Sequence, residues 1–84
     1  MFLHVTSVEN VRPFALKLQF SDGTVKLVDL RNELYGEVFQ PLQDPSVFKQ
    51  VKLNTETGTI EWPNGADFAP EFLYEIGKEI KQVA

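Results

Sequence analysis

His4 is the one histidine of this sequence, and there is no cysteine to work beside it. An imidazole acts as a general base only when the fold sets it against a nucleophile or a carboxylate. Nothing in the spacing around His4 provides that, so a surface or sheet-edge position is expected. The serines are Ser7, Ser21 and Ser46, and none stands in a Gly-x-Ser-x-Gly setting of the kind that exposes a nucleophile. Asp22, Asp29, Asp44 and Asp67 each lie beside a turn or a helix start. Short carboxylates there serve backbone N–H groups more readily than they form an acid–base pair. Asp22-Gly23 is too short a motif to cradle a phosphate. No residue is given a catalytic role, and no enzyme is expected. Structural zinc takes about four N or S ligands, which this inventory does not supply, so folding is expected to need no metal or cofactor.

The most distinctive run is Ile60-Glu61-Trp62-Pro63-Asn64-Gly65-Ala66-Asp67. In a structural reading Trp62 fills the core, Pro63 ends a strand and Asn64-Gly65 turns the chain. Asp67 then caps N–H groups just ahead of the last helix. In a functional reading the same loop is a binding surface made by Trp62, Asn64 and Asp67. The structural reading is preferred, and these three residues remain the binding candidates.

The elements that must hold this loop follow from periodicity. Residues 3–11 are rich in β-branched side chains, but Leu3 and Val5 differ in parity from Val8, which points to a bulge or an early end. Phe14, Leu16, Leu18 and Phe20 alternate with Ala15, Lys17 and Gln19, the pattern of a strand with one buried face. Asp22-Gly23 suits a tight hairpin, and residues 25–28 return. Asp29 is expected to cap a short helix over residues 30–34, closed by Gly36. Residues 38–42 form a connector pinned by buried side chains, and Asp44-Pro45 starts a short helix. Val51 and Leu53, then Ile60 and Trp62, make a second hairpin about a Gly58 turn. From Pro70 onward Phe72, Leu73, Ile76, Ile80 and Val83 recur at helical spacing, with Gly77 inside the helix, where it costs about 1 kcal/mol against alanine. The fold expected is α+β: a three-stranded antiparallel meander, a short helical connector, a second β-hairpin and a C-terminal helix packed on the sheet, in one domain over residues 1–84.

The chain has 84 residues, 43% hydrophobic and 24% charged, a globular composition. Seven Phe, two Tyr and one Trp supply much of the core area. With a net charge of −4 and eight dispersed basic residues, direct nucleic-acid binding is not expected, because phosphate neutralisation dominates that affinity. No apolar run approaches the roughly 20 residues that span a bilayer, and residues 1–5 show no export signal. A cytoplasmic location without membrane contact is the expectation. A core this small leaves apolar surface uncovered, so a weak homodimer through a sheet edge or the last helix is also expected.

The runs Phe20-x-Asp22-Gly23, Val28-Asp29-Leu30 and Gly36-x-Val38-Phe39-x-Pro41-Leu42 form a pattern with Gly58-Thr59-Ile60-x-Trp62-Pro63-Asn64-Gly65-x-Asp67 and Leu73-Tyr74. That pattern resembles the bacterial family of the domain of unknown function 2442 over nearly the whole chain. The resemblance implies a small α+β fold that occurs alone or fused to a helix-turn-helix. It also implies neighbours in arrangements suggestive of toxin–antitoxin pairs, and it carries over no catalytic residues. These 84 residues include no helix-turn-helix after the last helix, so direct operator binding is not expected. The leading expectation is a non-enzymatic protein-interaction or regulatory module with a protein partner, antitoxin-like in one version. The alternatives are a DNA-associated regulator acting through a partner and a small ligand-binding domain or enzyme.

Overall fold

The computed structural model describes residues 2–80. Strands β1 (Val5–Arg12), β2 (Ala15–Phe20) and β3 (Val25–Asp29) form the expected antiparallel meander. β1 carries two register shifts, between Val5 and Ser7 and between Asn10 and Arg12, which account for its broken alternation. Gly23 takes φ 88 in the β2–β3 turn, where the Thr24 N–H donates to Asp22 Oδ1 at 2.9 Å.

Phe14 departs from the alternation in which it is expected to begin the second strand. It adopts φ 68 in the preceding turn, and its carbonyl accepts from Leu30 N–H at 2.7 Å. Asn10 Nδ2 donates to the carbonyls of Arg12 and Ala15, holding this turn closed. The Phe14 ring meets Phe48 edge-on at 5.5 Å. A left-handed aromatic residue is costly, and here two anchored flanks hold it in place.

Beyond β3 the chain makes 3-10 helices at Arg31–Glu33 and Gln40–Gln43, then α1 (Pro45–Phe48). Asp44 caps α1 as expected, accepting from Ser46 N–H at 2.9 Å. Asp29 accepts from Arg31 N–H at 2.9 Å, one position ahead of the actual cap, Leu30. The second hairpin is β4 (Lys52–Asn54) with β5 (Thr59–Glu61), a two-stranded sheet of its own. Its turn is fastened to the meander by Val5 N–H donating to Gly58 O at 2.8 Å. A Cβ on Gly58 would lie 2.8 Å from His4 Cβ, so this close approach needs glycine.

The last helix, α2 (Pro70–Ile76), is shorter than its periodicity suggests. It stops at Gly77, which has extended ψ 153, and Lys78–Glu79 becomes β6, a fourth strand paired antiparallel to β3. Gly77 therefore ends the helix, and Ile80 donates its N–H to Val25 O at 2.9 Å instead of continuing the stripe. A Cβ at position 77 would lie 3.0 Å from Leu73 O, Lys26 Cβ and Val28 Cγ2, so the chain leaves α2 for the sheet at a residue without one. Lys81, Gln82 and Val83, read as the end of the helix, lie outside the described residues.

The core lies between the inner face of the meander, α2 and the second hairpin. Leu16, Leu18, Phe20, Ile60, Trp62 and Leu73 are all fully enclosed in it.

Candidate functional site

The Trp-Pro-Asn-Gly run is a brace between segments. Trp62 is 1% exposed, its Nε1–H donates to Phe48 O at 2.8 Å, and its ring lies 5.5 Å from Phe48. It is core, with no face left for a partner. The loop closes through Gly65 N–H to Trp62 O and Trp62 N–H to Ala66 O, both at 2.9 Å. Asn64 takes the role expected of Asp67. Its Oδ1 accepts from Ala66 N–H at 3.0 Å, while Nδ2 donates to Val38 O at 2.9 Å, 26 residues away.

Asp67 does not cap the last helix. The cap position of α2 is Ala69, in extended conformation and without a side-chain cap bond. Phe68 and Ala69 carry the chain away before Pro70, and proline at the first helical position removes one N–H that would want an acceptor. Asp67 instead pairs through its backbone with Glu61 in an isolated bridge, and its side chain is exposed. Among the described residues its carboxylate accepts no hydrogen bond and joins no ion pair.

The Asn64–Val38 tie brings together two aromatic segments that lie far apart in sequence. Phe39, from the connector, stacks on Phe68 with centroids 4.7 Å apart. Phe68 stacks on Phe72 of α2 at 5.6 Å and meets Trp62 edge-on at 5.9 Å. Thr59 Oγ1 fixes the Phe68 backbone by donating to its carbonyl at 2.6 Å. On the connector side Gly36 O accepts from Phe39 and Gln40 N–H, and Gln43 Nε2 donates to Leu34 O at 2.6 Å. A groove of about 260 Å³ results, lined by Tyr35, Phe39, Phe68, Phe72 and Ala69 with Glu33 and Asp67. Tyr35 is 72% exposed, and Val38 of the same connector 49%. Of the residues expected to bind, only Asp67 lines this groove. The four rings carry no signal in the sequence that sets them apart, since three of them have the spacing of ordinary core aromatics.

His4, Ser21 and Ser46 have local partners. His4 is exposed, with Nδ1 3.2 Å from Phe2 O, and it meets Ser21 through its backbone N–H, not its ring. Ser46 Oγ donates to Asp44 Oδ1 at 2.7 Å, and the two Ser46 donors, hydroxyl first, hold that carboxyl below the usual range. A larger depression of about 460 Å³ beside the second hairpin is polar, and there the Asn54 amide already donates to the Glu61 carboxylate. Among the described residues no three His, Asp or Glu side chains are grouped to hold a metal ion, and no helix is long and apolar enough to cross a membrane.

Residues 5–79 match the model of a family described as a protein of unknown function, DUF2442. No curated protein and no solved structure matches the chain.

Proposed function

The chain belongs to the DUF2442 family, and we propose that it is a non-enzymatic protein-interaction module that seats its partner in the groove of Tyr35, Phe39, Phe68 and Phe72. The observation that supports this is a stacked, half-buried aromatic series beside the exposed Tyr35, lining a groove on a rigid frame. Aromatic rings are the side chains most enriched where proteins bind one another, because they bury much area at little entropic cost. The frame is fixed from below by Trp62 and from the side by the Asn64–Val38 bond, so little ordering remains for the moment of binding. An antitoxin-like role is one form such a module takes.

Site-specific photo-crosslinking in the native host tests this reading. A crosslinking residue at position 35 should yield one discrete adduct that is absent when the same residue sits at Lys17, on the opposite face of the sheet. Equal adducts from both positions, or none from position 35, would overturn it. A species of twice the chain's mass would assign the groove to a second copy and equally overturn a separate partner.

A further inference from the structure

We propose that what the groove takes is the guanidinium of an arginine on the partner's docking segment, an inference that rests on the interaction reading above. The first support is the rings. Among the described residues two cations lie over aromatic faces, Lys26 over Tyr74 at 3.8 Å and Arg31 over Phe14 at 5.0 Å. Neither pair involves Tyr35, Phe39, Phe68 or Phe72, so the groove's π-faces have no cation of their own. The second support is charge. Glu33 and Asp67 line the same groove, and among the described residues the one ion pair is Arg12 with Asp29 at 3.9 Å, elsewhere on the surface. Two carboxylates that have no counter-charge among the described residues, beside half-buried rings, complement a planar cation.

Arginine fits this combination better than lysine. Its guanidinium stacks on an aromatic face while its edge donates to carboxylates, and it gives up its hydration more easily than an ammonium group does. A purely apolar segment would cover Glu33 and Asp67 without satisfying them, a desolvation cost with no return. The net charge of −4 adds long-range attraction for a basic segment.

The probe is a tetra-arginine peptide titrated into the whole chain and followed by amide chemical shifts, with tetra-lysine and tetra-citrulline as comparators. Citrulline keeps the planar shape and removes the charge. The expected result is shifts concentrated at residues 33–39 and 67–72, binding at least about threefold weaker for lysine and about tenfold weaker for citrulline. Glu33→Gln with Asp67→Asn, both isosteric changes, should weaken tetra-arginine by about tenfold with the amide spectrum otherwise unchanged. Phe72→Ala should weaken it too, and the spectrum of that variant reports whether the fold survives. Shifts scattered over the acidic surface, equal binding of lysine and arginine, or indifference to the double variant would overturn the inference. If the position-35 crosslink persists under any of those results, the interaction module stands and only its occupant is wrong.

Discussion

The Tyr74 hydroxyl donates to Asp22 Oδ2 at 2.9 Å, joining α2 to the β2–β3 turn across 52 residues of sequence. The same ring packs edge-on to Phe20 at 5.0 Å and underlies the Lys26 ammonium, which also donates to Tyr74 O at 2.6 Å. One side chain thus clasps the last helix to the hairpin through an apolar face, a cation and a carboxylate.

The clasp makes stability depend on acid. The Thr24 backbone N–H, with further help from the Thr24 and Tyr74 hydroxyls, holds the Asp22 carboxyl below its ordinary value of 3.8. A carboxyl depressed in the folded state stabilises fully above its unfolded value, and that contribution is lost as pH falls through the folded one. The melting temperature should therefore drop as pH falls from about 4 towards 2. Asp22→Asn, which keeps an acceptor for Thr24 and cannot titrate, should show a shallower slope in circular-dichroism melts. Parallel slopes for the two proteins would show that Asp22 contributes nothing to it.

Trp62→Phe removes the indole N–H that satisfies Phe48 O and empties the space of one fused ring. The loss should be about 2–4 kcal/mol, combining a cavity with an unsatisfied carbonyl. In a domain of this size that lowers the melting temperature by about 10–30 °C. A shift of only a few degrees would mean the neighbouring rings close the gap.

Gly77→Ala separates two accounts of the C-terminal segment. Inside a helix the change would stabilise by about 1 kcal/mol. At a helix end wedged against Lys26 and Val28, with contacts of 3.0 Å, overpacking should destabilise by about 1–3 kcal/mol. Urea denaturation gives the sign directly.

Asn64→Ala and Asp67→Ala should behave oppositely. The first breaks both ties of the loop and should cost about 1–2 kcal/mol while disturbing the amides of residues 38 and 39. The second removes an exposed, unbonded carboxylate and should leave stability within about 0.5 kcal/mol of the parent. A large loss of stability in Asp67→Ala would restore the capping role that the fold denies it.

Much of the fold is legible in the sequence because it is written locally. The alternation from Leu16 to Phe20, the Asp22-Gly23 turn and the Asp44-Pro45 helix start each depend on neighbours a few residues away. Trp62 as core follows from its size and the strand it follows. The end of α2 is not legible in this way. Ile80 sits four residues after Ile76 and continues a helical stripe, yet the chain leaves the helix at Gly77 and runs on as β6 beside β3. The groove is hidden for a similar reason. Tyr35 and Phe39 come from one segment and Phe68 and Phe72 from another, and the contacts that join them, Phe39 on Phe68 with Asn64 to Val38 beside it, have no signature in local spacing. Phe72 belongs to the apolar stripe of α2 by period, yet it lines the groove while Leu73 is enclosed in the core.

Among the described residues β6 is paired to β3 through two, Glu79 with Lys26 and Lys78 with Leu27. A segment held by so few backbone bonds opens at a small part of the free energy needed to unfold the whole. Each opening leaves the outer row of β3 amides and carbonyls without partners, and a bare strand edge is a template for any extended chain. The amides of β3 that face β6 should accordingly exchange with solvent faster than those facing β2. The susceptibility of this sheet to a foreign strand is then set by how long the short pairing of Lys78 and Glu79 on β3 stays closed.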